Sequence, residues 1–166
     1  MKPHVHRLLK SSLKTCVEIH LSNGAVSAGN PAFARHACFA WLIINLNDAL
    51  QALSSHNLRV DFTEDVDSGQ IGRAHADVTD LIANIRNLLC HPRSEKHMKE
   101  DFGTIDLIYV AGKSEGAHSI NGVTFGCPYG DDTAIFFGNF RIYYSRHISR
   151  ALKEAHLRLS SINICE

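Results

Sequence analysis

Between Pro31 and Leu53 the chain sets apolar side chains around almost the whole circumference of one helix. Phe33, Ala37, Cys38, Phe39, Ala40, Trp41, Leu42, Ile43, Ile44 and Leu46 are more than the single stripe that a surface helix buries. Such a helix has to be surrounded, either at the centre of a helical packing or against a second chain. It does not read as a membrane span: the apolar run from Ala37 to Ile44 is far below the roughly 20 residues that a bilayer requires. That run is also flanked by Arg35, His36, Asn45, Asn47 and Asp48. Asn30 is the expected N-cap, with Pro31 at the first helical position, where a missing N–H costs nothing.

Three other segments have helical spacing. Val5, Leu8, Leu9, Leu13, Val17 and Ile19 predict a helix over about Pro3 to Leu21, closed by Ser22-Asn23-Gly24. Val78, Leu81, Ile82, Ile85 and Leu89 predict a third that begins between Gln70 and Asp77, with Ile71 and Ala74 extending its stripe and Asp77 as a later N-cap. Phe140, Tyr144, Ile148, Ala151, Leu152, Ala155 and Leu159 predict a fourth from about Asn139 to Leu159. Between the last two the pattern becomes extended. Ile105–Val110, Ser119–Phe125 and Thr133–Phe137 read as strands separated by glycine-rich turns. The fold expected from these patterns is mainly α: a four-helix bundle in a single domain over 1–166, with a small antiparallel β meander inserted at about 102–138.

Composition narrows the function classes. With 45% hydrophobic and 20% charged residues the chain is globular rather than disordered. Lys2, Arg7 and Lys10 lack an apolar stretch of signal-peptide type behind them. The five cysteines, Cys16, Cys38, Cys90, Cys127 and Cys165, are odd in number and irregular in spacing, as free thiols in a reducing, cytoplasmic setting would be. Eleven histidines form no Cys-x-x-Cys, no His-Glu-x-x-His and no tight cluster, so no metal and no cofactor is expected. The acidic stretch Asp61–Gly69 fails as a calcium loop, because Gly69 falls at the fifth position from Asp65 and Ala76 at the twelfth, where a bidentate Glu is needed. Gly112-Lys113-Ser114 lacks the earlier glycine of a phosphate loop, Leu107 standing in that place.

Seventeen basic and seventeen acidic residues cancel, so overall charge attracts no polyanion. Local charge differs. Arg141, Arg146, Arg150, Lys153 and Arg158 face only Glu154 in their stretch of sequence, and Arg146, Arg150 and Lys153 are the candidate RNA-binding residues. A solvated helix face would give the same run. Tyr143 and Tyr144 beside it have the chemistry for base stacking, although paired tyrosines at a helix start more often belong to core and rim.

The candidate for chemistry is Arg86-Asn87-Leu88-Leu89-Cys90-His91-Pro92. Arg86 lies off the apolar stripe. Five residues of regular helix would turn His91 about 140° away from it. Pro92, however, disfavours the α conformation at the residue before it, so the helix is expected to stop near Cys90 and free His91 to converge on Arg86. An arginine, a polar residue, a short spacer and a histidine at the end of an amphipathic helix resemble the motif of the HEPN (higher eukaryotes and prokaryotes nucleotide-binding) superfamily. The spacing here is at the short end of the permitted range.

The resemblance covers the helical segments and not the 102–138 region. It implies a helical bundle acting as a homodimer, with two motifs meeting across a twofold axis in a composite, metal-independent RNA-cleaving site. His91 would then serve as general acid or base, Arg86 would stabilise charge on the scissile phosphate, and Asn87 would orient one of them. The implied products are a 2′,3′-cyclic phosphate and a 5′-hydroxyl, and the implied role is that of a toxin opposed by an antitoxin protein, or of a phage-defence ribonuclease. A non-catalytic module for binding or dimerisation, paired with a nucleotidyltransferase-type partner, stays open. Arginine and histidine also favour helix C-termini for electrostatic reasons alone.

Overall fold

The computed structural model describes residues 2–66, 75–91, 107–120, 123–138 and 140–161. Helices α1 (Pro3–Leu21), α2 (Ala32–Ser54) and α3 (Val78–Cys90) come first. Strands β1 (Leu107–Ala111), β2 (Ser114–Ile120), β3 (Val123–Cys127), β4 (Thr133–Phe137) and β5 (Phe140–Tyr143) follow. A π-helical turn at Tyr144–Ser149 then leads into α4 (Arg150–Ser160).

Local chemistry accounts for the helix ends. Pro3 opens α1. After α1 the chain turns through Asn23, at φ 50°, and Gly24, where a Cβ would stand 2.8 Å from the Cys38 Sγ. Only a glycine lets this loop lie so close to α2. Pro31 is the N-cap of α2, and Asn30 instead donates from Nδ2 to the Gly24 carbonyl at 3.3 Å. The expected Asn30 cap is thus displaced by one residue, its side chain being taken by the preceding loop. Asp77 caps α3 by accepting from the Asp80 N–H at 3.0 Å, and Arg59 holds the same carboxylate at 2.7 and 2.9 Å. Ile71 and Ala74, read as extending this helix, lie outside the described residues.

The expected mainly α bundle with an inserted meander is not what the chain forms. The protein is a mixed α+β fold, and its strands make two sheets: β1-β4-β5, all antiparallel, and the hairpin β2-β3. β1 pairs not with the strand that follows it but with β4, Leu107 opposite Phe137 through Ala111 opposite Thr133. The fourth helix is correspondingly shorter than expected. Phe140 to Tyr143 pair with β4 as a strand, Phe137 opposite Phe140, across a turn in which Gly138 has φ +54°. Phe140 and Tyr144 do fall at helical spacing, but Phe140 and Ile142 also alternate, and the long-range partner β4 decides between the two periods.

The sheet is a structural layer rather than an appendage. Ile135, Phe137, Phe140 and Ile142 point into the main core, where they meet Phe39, Leu42, Leu46, Leu50, Leu81, Ile85 and Leu152 of the helices. Ala134, Phe136, Val110 and Tyr143 face the opposite way and form a second core with Phe125 and Cys127 of the hairpin. Phe125 and Phe136 meet edge to face, centroids 5.0 Å apart. The order through the molecule is therefore helices, three-stranded sheet, hairpin.

Candidate functional site

α3 stops at Cys90, and His91 leaves the helix with φ −132° and ψ 62°, its N–H still donating to the Asn87 carbonyl at 2.9 Å. His91 is exposed, and among the described residues its imidazole has no partner. Arg86 and Asn87 are half-buried and touch: Arg86 Nη1 donates to Asn87 Oδ1 at 3.4 Å. The Arg86 Nε is buried without an acceptor, and among the described residues no carboxylate pairs with this guanidinium. An unpaired, partly desolvated arginine has unused hydrogen-bonding capacity for an anion. The structure brings Arg86 and Asn87 together and frees His91 at the same helix end, without a contact between Arg86 and His91.

Four further residues, Gly138, Tyr109, His36 and Arg35, gather around the start of β1. Gly138, next to Phe137 and hence to the start of β1, lies so close to α3 that a Cβ on it would be 2.8 Å from Leu88 Cδ2. Two residues further along β1, the Tyr109 ring meets His36 at 6.4 Å and the Arg35 guanidinium at 5.0 Å, both from the first turns of α2. Arg35 Nε and the Tyr109 hydroxyl are both buried without a hydrogen-bond partner. Burial pushes the Tyr109 phenol up to about 12, so it stays neutral and remains a donor. The link between Arg35 and Arg86 runs through strand pairing, which no local pattern reveals.

The basic run is placed differently from a free cationic surface. Arg146 lies 3.3 Å from Asp131 and 4.0 Å from the buried Asp132, with its guanidinium 3.7 Å from the Tyr129 ring centroid. Arg150 reaches Glu64 at 3.1 Å and Glu154 at 2.9 Å and covers the Phe62 ring. Backbone hydrogen bonding, and then Arg150, hold the Glu64 carboxyl below its usual range. Lys153 is exposed and unpaired among the described residues. Arg146 and Arg150 thus line a cleft of about 420 Å³ whose other walls include Glu64, Asp65, Asp131 and Asp132, so that the acids outnumber the two arginines. Tyr143 and Tyr144 are buried, at 1% and 6% exposure, and present no ring for base stacking.

Beside that cleft, two buried polar groups hold the π-turn. Asp132 accepts from the backbone N–H of Thr133 at 2.7 Å, Ser145 at 2.7 Å and Arg146 at 2.9 Å, capping the turn from a distant strand end. His147, fully buried, accepts at Nδ1 from the Tyr143 N–H at 3.1 Å and donates from Nε2 to the Glu64 carbonyl at 3.2 Å. Both ring nitrogens are therefore committed in the neutral tautomer. Burial pushes its pKa from 6.5 down to about 4.

The depressed pKa has a defined pH consequence. Below pH 6.5 the unfolded chain takes up a proton that the folded chain refuses, so the stabilisation is complete above that pH and disappears as pH falls towards about 4. The loss should reach about 3 kcal/mol across this window. Urea unfolding of wild type and His147→Gln from pH 7.5 to 4 should show a much shallower acid slope in the variant. Equal slopes would remove His147 as the cause.

Among the described residues no group of three His, Cys, Asp or Glu side chains is placed to hold a metal ion, and no helix is long and apolar enough to cross a membrane. Cys16, Cys38, Cys90 and Cys127 are free thiols, and Cys165 lies outside the described residues. No protein-family model, curated protein or solved structure matches the chain.

Proposed function

We propose that this chain is a metal-independent endoribonuclease acting as a homodimer, with Arg86, Asn87 and His91 of two copies forming one site. The observation that carries the reading is the state of Arg86: partly buried, unpaired with any described carboxylate and on the last turns of the helix that ends at the exposed His91. In this site His91 moves the proton of the ribose 2′-hydroxyl or of the leaving 5′-oxygen. Arg86 neutralises charge growing on the phosphate, and Asn87 holds the guanidinium that it already touches. Attack by the 2′-oxygen on phosphorus expels the 5′-oxygen, leaving a 2′,3′-cyclic phosphate and a 5′-hydroxyl. Because Arg146 and Arg150 are neutralised by acids, this reading places the phosphate at the Arg86 end. A toxin or phage-defence role belongs to the same proposal.

Digestion of a labelled RNA in excess EDTA should proceed at the rate seen without chelator and leave cyclic phosphate ends. Activity that vanishes with chelator and returns with added magnesium or zinc would overturn it.

Exposed aromatics on α2 favour protein contact at the same end. Phe33 is 76% and Trp41 56% exposed, large aromatics that a lone globule normally hides. In this reading a dimer seated on these side chains brings two α3 ends near each other. Light scattering should give twice 18.4 kDa, and Phe33→Asp with Trp41→Asp should yield a monomer that no longer cuts RNA. A wild type that is monomeric at micromolar concentration would exclude the composite site. It would leave the alternative in which this stripe receives a different protein, such as an antitoxin or a nucleotidyltransferase-type partner.

A further inference from the structure

A second concave site lies between α1 and α4, a cavity of about 730 Å³ that is separate from the Arg86 end. Its floor is apolar, built from Leu13 and Val17 of α1 and Leu159 of α4. His6, one wall of the cavity, is only 6% exposed, yet among the described residues its imidazole has no hydrogen bond, ion pair or ring contact. Its ring nitrogens are not sealed off like those of a core side chain but open onto the cavity, where they are available to a ligand. An imidazole offers an N–H donor in either protonation state.

The charge around the cavity gives the sign of that partner. Lys10, one turn beyond His6 on the same face of α1, is exposed and unpaired among the described residues. Lys14 sits 3.8 Å from Glu18, so this pair is internally balanced. His156 adds a second imidazole from α4. What remains is one uncompensated ammonium and two imidazoles beside an apolar floor, on a scale that accommodates a small ligand.

The geometry points to a binding site for a small amphiphilic anion, its apolar body on Leu13, Val17 and Leu159 and its head group on His6 and Lys10. The head-group chemistry is that of a carboxylate or a phosphate monoester, either of which accepts hydrogen bonds from imidazole and ammonium. The site does not depend on the ribonuclease reading, since it shares no residue with that site.

Calorimetric titration below the micellar range can use four probes with the same chain: decanoate, decyl phosphate, decanol and decyltrimethylammonium. Decanoate, decyl phosphate or both should bind one per chain, at least about tenfold tighter than decanol or the cation; the tighter of the two identifies the head group. His6→Phe keeps an aromatic ring in the slot but removes the donor and should weaken anion binding about tenfold, leaving decanol unchanged. Lys10→Gln, a change at an exposed position, should do the same and does not depend on whether His6→Phe folds. The proposal is overturned if neither anion binds saturably, if decanol or decyltrimethylammonium binds as tightly as the anions, or if Lys10→Gln leaves anion affinity unchanged.

Discussion

Replacing Asp132 by Ala is expected to destabilise the protein by about 3–5 kcal/mol, because it strips one carboxylate of 1% exposure from three backbone donors at once. The donors of Ser145 and Arg146 begin the π-turn and have no other side-chain cap among the described residues, while that of Thr133 opens β4. Arg146 would also lose one of its two acids. Asp132→Asn keeps the shape but turns one acceptor into an NH₂ group facing a backbone N–H, so it should fall between wild type and Ala. Urea unfolding at pH 7 gives the ranking. A loss below about 1 kcal/mol for Ala would mean that the turn closes without this cap. RNA cleavage by the folded Asp132→Asn protein should be unchanged, since the Arg86 end is built on α3 and not on this turn.

The helical half of the fold was legible because its signal is local. The stripe of α3, the Asp77 cap and the stop at Cys90 before Pro92 each depend on neighbours within a few residues. The all-round apolar character of α2 likewise corresponds to a helix packed against α1, α3 and α4, with Phe33 and Trp41 left outside. The β half was less legible. Thr133–Phe137 was found with its bounds, yet nothing near it in sequence names Leu107–Ala111 as its partner. Phe140–Tyr143 satisfies a helical period as well as an extended one, and only its pairing with β4 makes it a strand and the sheet a full layer.

The site divides along the same line. Arg86, Asn87 and His91 stand out because an arginine off the stripe and a histidine before proline are visible one residue at a time. Arg35, His36 and Tyr109 meet only through the β1–β4–β5 sheet. The balance of Arg146 and Arg150 by Glu64, Asp131 and Asp132 also depends on pairs far apart in sequence, Glu64 and Arg150 above all. Asp132 and His147 gave no sequence signal, because a buried acid or imidazole is recognised by its partners and not by its neighbours.

Arg86→Ala and His91→Ala are each expected to abolish RNA cleavage while leaving the fold and the dimer intact. Loss of a general acid or base costs roughly 10²- to 10⁴-fold in rate. Loss of a donor that stabilises developing charge costs roughly 10²- to 10³-fold. His91 is exposed and among the described residues Arg86 makes one hydrogen bond, to Asn87, so either truncation should cost about 1 kcal/mol of stability or less. Asn87→Ala should act through Arg86, lowering the rate less than either, and Lys at position 86 should not restore it, because an ammonium lacks the planar fork.

The most direct test is cleavage of one labelled RNA by wild type, Arg86→Ala and His91→Ala, in EDTA and at matched concentration, with melting temperature recorded on the same samples. The account predicts EDTA-resistant cleavage by wild type, a loss of at least about 100-fold in each variant, and melting temperatures within a few degrees of one another. Full activity in either variant, or no activity in the wild type, would contradict it.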